Sequence, residues 1–154
     1  MKSIQTEISI KSSAMKIWEV LTDFENHSLW NPFFESIEGE QWVGGVLTVR
    51  MKQQNGKSMT FKPVIAVYEN ATKLIWKGQL FMPGLFDGEH GFSIIENRDG
   101  TSLFKQWETF GGILLPIFGQ KLLDDTKKSF EDMNEALKEY VEALAGRDKR
   151  KMSA

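Results

Sequence analysis

"FDGEHGFSIIENRDGTSLFKQWETF", residues 86–110, sets two runs of alternating residues on either side of an Asn-Arg-Asp-Gly turn. Alternation at period two marks half-buried strands, and a short glycine-containing turn between two such runs makes an antiparallel hairpin. The loop decides the register. If it is Asp99-Gly100 alone, Phe92 faces Trp107 and Ile94 faces Lys105; if it is Arg98-Asp99-Gly100, with Gly100 left-handed, Phe92 faces Gln106 and Ile94 faces Phe104. The second register is preferred because it gathers Phe92, Ile94, Phe104 and Phe110 on one face. On that same face it places His90 directly across from Glu108.

Downstream of the hairpin the period changes for good. Leu115, Phe118, Leu122, Thr126, Phe130, Met133, Leu137, Val141 and Leu144 step by three or four, and Pro116 suits a first helical turn. One long amphipathic helix is predicted, ending near Ala145 ahead of Gly146. The charged stretches "DDTKK" and "EDMNEALKE" read as its solvated back, and the polar residues 146–154 as a frayed tail.

Upstream, strands are predicted near 34–39, 45–53, 57–69 and 72–82, divided by "VGG", "QNG" and "ENAT", with "PGL" ahead of the hairpin strands at 87–97 and 101–111. Such short connections make neighbours antiparallel. Alternation points Leu47, Val49, Met51, Phe61, Pro63, Ile65, Val67, Leu74, Trp76, Gly78 and Leu80 inward, with room left over Gly78. At the start of the chain, Ile4, Thr6, Ile8 and Ile10 share one face of a first strand. A helix capped by Ser12 or Ser13 follows, burying Ala14, Ile17, Trp18 and Leu21. Asn31-Pro32 ends a short helix or turn near Trp30, because the residue before proline is pushed out of the α region.

The sum is an α+β domain: a curved antiparallel sheet of about seven strands around a long C-terminal helix, with two short helices after the first strand. At 154 residues it reads as one domain, residues 1–145. There is no cysteine, so disulfides and thiolate chemistry are excluded. With 19 basic and 21 acidic residues, no global field favours nucleic acid or an anionic membrane. The start "MKSIQTEISI" has no long apolar run of the signal-peptide kind, and "FGGILLPIF" is about half of the roughly 20 residues a membrane span requires. A cytoplasmic protein without stable membrane insertion is expected.

Few residues carry chemistry. His27, His90 and scattered carboxylates show no metal-ligand spacing, so no metal or cofactor is expected. Ser93 and Ser102 stand in no nucleophile motif. The pair His90 and Glu108 has two readings. In one, the carboxylate fixes the imidazole tautomer for general acid–base work. In the other, the two are a buried polar pair that satisfies itself.

Several stretches together resemble a known family. "SSAMKIWEVLTDFENHSLWNPF" is similar to the entry segment of the START-like (SRPBCC) ligand-binding superfamily, in its polyketide cyclase/dehydrase-like branch. "LIWKGQL", "PGLFDGEHGF" and "GTSLFKQWETFGG" resemble that branch's W-x-G, G-E-H-x-F and E-x-F-x-G signatures, in the right order over residues 1 to about 145. The resemblance implies a helix-grip fold with an apolar cavity between sheet and helix. It implies Trp30, Asn31, Pro32 and Phe33 at the cavity mouth, and Trp76, Glu89, His90, Phe92, Glu108 and Phe110 along the wall. Gly78, Phe104 and Gln106 on the inward face, and Phe118 and Leu122 on the helix, complete the expected ligand-contacting set; Gln106 departs from the basic or aromatic residue relatives often carry. The expected function is non-enzymatic binding of an apolar small molecule: a lipid, isoprenoid, or aromatic or polyketide-like metabolite. The alternatives are a cyclase or dehydratase with His90 as base and Glu108 as its orienting partner, and a packed module whose partner is another protein.

Overall fold

The computed structural model describes residues 1–80, 84 and 86–153, apart from the side chains at 79, 80, 86 and 118. In chain order it comprises β1 (Lys2–Ile10), α1 (Ala14–Thr22), a 3₁₀ helix (Phe24–Leu29), β2 (Phe34–Gly39), β3 (Leu47–Lys52), β4 (Ser58–Phe61), β5 (Val64–Glu69), β6 (Lys73–Leu80), β7 (Phe86–Glu96), β8 (Ser102–Gly111) and α2 (Leu115–Ser153). Five strands run in the order β1-β8-β7-β6-β5 and three in the order β2-β3-β4, and every pairing is antiparallel. The single strand expected over 57–69 is two. Pro63 has no N–H to give to a ladder, and there the chain leaves β3 and crosses to β6. Backbone bonds Leu47 N–H to Pro63 O (2.9 Å) and Ile65 N–H to Gly45 O (2.9 Å) stitch the two sheets into one curved surface.

Within β5 a bulge between Ile65 and Val67 reverses the alternation. Tyr68 then pairs with Leu74 and packs on the core, the place expected for Val67. Of the other inward residues expected, Leu47, Val49, Pro63, Ile65, Leu74 and Trp76 are buried. The side chain of Leu80, the last two positions of the expected strand 72–82, and most of the "PGL" turn lie outside the described residues.

Helix α1 starts where Ser13 Oγ accepts from Lys16 N–H, and it buries Ile17, Trp18 and Leu21. Helix α2 departs from expectation at both ends. Gly119 interrupts it with φ 64°, a left-handed conformation that glycine adopts without strain. That break resets the phase, so Leu123 rather than Leu122 turns fully inward, followed by Phe130, Met133, Leu137 and Val141. At the other end the helix runs on through Gly146 to Ser153, past the end expected near Ala145. A helical glycine costs only about 1 kcal/mol, the residues beyond it are mostly good helix formers, and Asp148 reaches Lys16 on α1 at 3.7 Å.

Two apolar clusters lie between sheet and α2. The larger runs from Ile10 and Ile17 through Phe34, Trp76 and Phe92 to Phe130 and Leu137. The smaller is Phe110, Leu115 and Leu123, with Ile4 and Leu122 against it.

The Trp-Asn-Pro-Phe turn is held by a histidine. His27 Nε2–H donates to Leu21 O at 2.6 Å, so its Nδ1 is free to accept from Asn31 Nδ2 at 3.1 Å. Asn31 Oδ1 in turn accepts from the backbone N–H of Phe33 (2.8 Å) and Phe34 (3.0 Å). Burial lowers the His27 pKa below its ordinary 6.5, partly offset by the Leu21 carbonyl and Asp23. Unfolding restores the ordinary value, so between the two values the unfolded chain binds more protons. The contribution of neutral His27 is therefore complete above pH 6.5 and is lost as pH falls through its lowered folded value. The urea midpoint of the protein is expected to fall on going from pH 7.5 to pH ~5, with a shallower fall in His27→Gln. An equal slope in the variant would assign the acid sensitivity elsewhere.

Candidate functional site

The middle of the five-stranded sheet carries one continuous inward row. Ile65 pairs with Trp76, Trp76 with His90, His90 with Glu108, and Glu108 with Ile4. The three-residue loop with Gly100 at φ 86° sets this register, and Phe92 faces Gln106 and Ile94 faces Phe104 as expected. His90 and Glu108 meet: Nδ1 to Oε2 is 3.0 Å.

The imidazole is enclosed. Its ring stacks on Phe92 at 4.4 Å and meets Phe130 at 4.7 Å, Trp76 at 5.4 Å and Phe34 at 5.7 Å. His90 is 4 % exposed. A polar chain leads away from it into the helix: His90 Nε2 to Gln106 Oε1 (2.9 Å), Gln106 Nε2 to Asn134 Oδ1 (2.9 Å), and Asn134 Nδ2 to Thr6 Oγ1 (2.9 Å). Thr6 Oγ1 closes it with a long 3.5 Å bond to the Gln106 carbonyl. The direction of these bonds fixes the tautomer. Because the Gln106 amide nitrogen donates to Asn134, the other end of that amide is its oxygen, which accepts, and His90 Nε2 carries the hydrogen. Nδ1 then faces Glu108 Oε2. Both ring nitrogens are in use.

Glu108 differs from its neighbours. Its side chain keeps 14 % exposure, and it sits on the seam between the two apolar clusters, beside Ile4 and two residues from Phe110. Gly88 makes room for it: a Cβ at Gly88 would overlap Glu108 Oε1. Trp76 Nε1–H is sealed and has no hydrogen-bond partner among the described residues; Phe34 and Phe92 meet its ring system T-shaped.

The other expected site residues distribute unevenly. Phe104 is fully buried behind Phe92, and Phe110 and Leu122 belong to the small cluster. The room expected over Gly78 is occupied, since Phe61 Cδ2 comes within 3.4 Å of where a Cβ would stand. Glu89 points outward and pairs with Lys77 at 3.5 Å. Of the expected mouth, Trp30 is half-buried against His27 (4.9 Å) and Tyr140 (6.4 Å), and Asn31 is consumed in the turn. Pro32 and Phe33 line a 220 Å³ groove, with Gln54 and Ser129. Phe33 and Leu122 line a neighbouring groove of 260 Å³. A larger groove of 470 Å³ lies under the 3₁₀ helix, walled by Asp23, Glu25, Glu35 and Glu38. None of these three is lined by His90 or Glu108. The Phe118 side chain lies outside the described residues.

Phe34, Phe130, Asn134 and Thr6 were not among the expected site residues. Asn134 lies in "EDMNEALKE", expected to be solvated, yet it is 2 % exposed. The available signal was an uncharged amide four residues after Phe130 and next to Met133, on the buried stripe. Among the described residues no group of three or more His, Asp and Glu could hold a metal ion, and no helix is long and apolar enough to cross a membrane.

The fold is that of several solved proteins. A START superfamily protein from Mycobacterium smegmatis is 20 % identical with TM-score 0.75, over 92 % of this chain and 98 % of that one. Ara h 8.0201 is 21 % identical with TM-score 0.70, over 92 % and 98 %. The Zhui aromatase/cyclase from Streptomyces sp. R1128 is 15 % identical with TM-score 0.75, over 92 % and 93 %. No curated protein matches the chain in sequence. The sequence itself matches, over residues 1–142, the family described as polyketide cyclase / dehydrase and lipid transport. Helix-gripping sheet, ordered signatures and this match agree, and the chain belongs to that polyketide cyclase/dehydrase and lipid transport family.

Proposed function

We propose that this protein binds an apolar small molecule between the sheet and α2, with the His90–Glu108 pair at the polar end of the site. The observation that carries this reading is the position of Glu108: a partly accessible carboxylate on the seam between two apolar clusters, backed by a fully bonded histidine. Apolar walls provide affinity by burial, about 25 cal/mol for each Å² removed from water, and one polar group fixes orientation. Membership of a lipid-transport and cyclase family supports the same class of ligand.

The acid–base alternative is weaker. A general base needs a nitrogen or oxygen within reach of the proton it removes, and both nitrogens of His90 are occupied in a ring stack that covers its face. Binding without turnover is the reading that fits. Gently purified protein examined by native mass spectrometry is expected to carry one apolar compound per chain, or, if stripped, to bind N-phenyl-1-naphthylamine with 1:1 stoichiometry. A protein that purifies empty and leaves this neutral fluorophore dark would favour the packed interaction module.

A further inference from the structure

Glu108 has two carboxylate oxygens, and among the described residues only one has a hydrogen-bonding partner. Oε2 is held by His90 Nδ1, while Oε1 lies over Gly88 and receives no hydrogen bond from the described residues. Among those residues no Lys or Arg pairs with Glu108 either. Of the nearby donors among the described residues, His90 Nε2–H goes to Gln106, one amide hydrogen each of Gln106 and Asn134 goes inward to Asn134 and Thr6, and Trp76 Nε1–H is sealed from solvent. What the seam offers an incoming molecule is that acceptor oxygen, on the strand position paired with Ile4, which packs against the small apolar cluster of Phe110, Leu115 and Leu123.

We infer that the ligand of this site ends in a hydrogen-bond donor, a hydroxyl or an ammonium on an otherwise apolar body, and that carboxylate-ended molecules such as fatty-acid anions are rejected. A donor completes the valence of Oε1, which the apolar ligand would otherwise strip of water. A ligand carboxylate brings a second set of lone pairs against it, and among the described residues no Lys or Arg pairs with Glu108 to offset them. The tautomer enforces the choice: the amide chain anchored at Thr6 commits Nε2–H inward, so the imidazole has no N–H left to lend a ligand oxygen. Gly88 is the specificity-determining backbone position, because any side chain there displaces the carboxylate that reads the donor.

This inference rests on the binding reading above, and a matched ligand series separates the two. N-phenyl-1-naphthylamine bound to the wild-type protein is displaced by 2-methylnaphthalene, 2-naphthylmethanol, 2-naphthylmethylamine and 2-naphthoate at pH ~7.5. The alcohol and amine are expected to bind roughly tenfold to a hundredfold more tightly than the hydrocarbon, from one hydrogen bond to a charged acceptor, and the carboxylate more weakly than the hydrocarbon. In Glu108→Leu and Gly88→Ala the alcohol-to-hydrocarbon ratio is expected to collapse towards one. The wild-type ratio stands even if a variant does not fold. Equal affinities for all four compounds, or a preference for naphthoate, would overturn the headgroup inference and leave the proposed apolar binding in place. No binding by any of the five compounds would remove the cavity reading, and the headgroup inference with it.

Discussion

Gln106→Leu is expected to lower the free energy of unfolding by about 2–6 kcal/mol, although leucine fits the volume and suits a buried strand. The side chain is fully buried and bonds on both sides, so its loss strands His90 Nε2–H and Asn134 Oδ1 away from water. Each stranded group costs about 1–3 kcal/mol. The loss is also expected to be non-additive with Asn134→Leu, because the two residues share one bond chain: the double variant should lose clearly less than the sum of the singles. Urea unfolding followed by circular dichroism measures all three. A Gln106→Leu loss below about 1 kcal/mol would mean that the chain of amides adds little to stability. The same variant frees the His90 tautomer, so its ligand preferences are expected to blur even where it remains folded.

Phe130→Ala is expected to be of similar size, about 3–5 kcal/mol, by a different mechanism. The ring is fully buried on α2 and touches both sides of the site, with Phe33 at 5.7 Å and His90 at 4.7 Å. Truncation removes its transfer free energy and leaves a void that the flanking sheet and helix close only in part. Because the void opens against the imidazole, the variant is expected to admit N-phenyl-1-naphthylamine with changed affinity, whereas Leu137→Ala, further along the helix, should destabilise without that effect. Equal ligand affinity in the two variants would place the binding site away from Phe130.

Much of this architecture is legible in the chain. The hairpin register set by the Arg98-Asp99-Gly100 loop follows from gathering apolar residues on one face, and it places His90 opposite Glu108. That inference works because strand alternation and the left-handed glycine are local properties. Two local signals were misread. Pro63 sits inside a run that looks like one strand, and its missing N–H divides it into two that pair with different neighbours. Gly146 looks like a stop, but a glycine followed by helix formers and tied back by Asp148 to Lys16 is carried along at small cost.

The candidate site divides along the same line. The aromatic row and the His–Glu pair were visible because they lie on adjacent strands joined by one turn. Asn134 and Thr6 were not, although they decide the tautomer of the central histidine. Their partners lie 28 and 128 positions apart in the chain, and sequence spacing carries no information about which distant polar group will complete a buried hydrogen bond. The sequence by itself determined the elements, the final hairpin's register and the family pattern, since those follow from period, turn chemistry and steric limits within a few residues. Only the tertiary structure decided that His90 spends both nitrogens and that one Glu108 oxygen has no partner among the described residues, because hydrogen-bond satisfaction in a buried site is settled by what the whole fold brings within 3 Å.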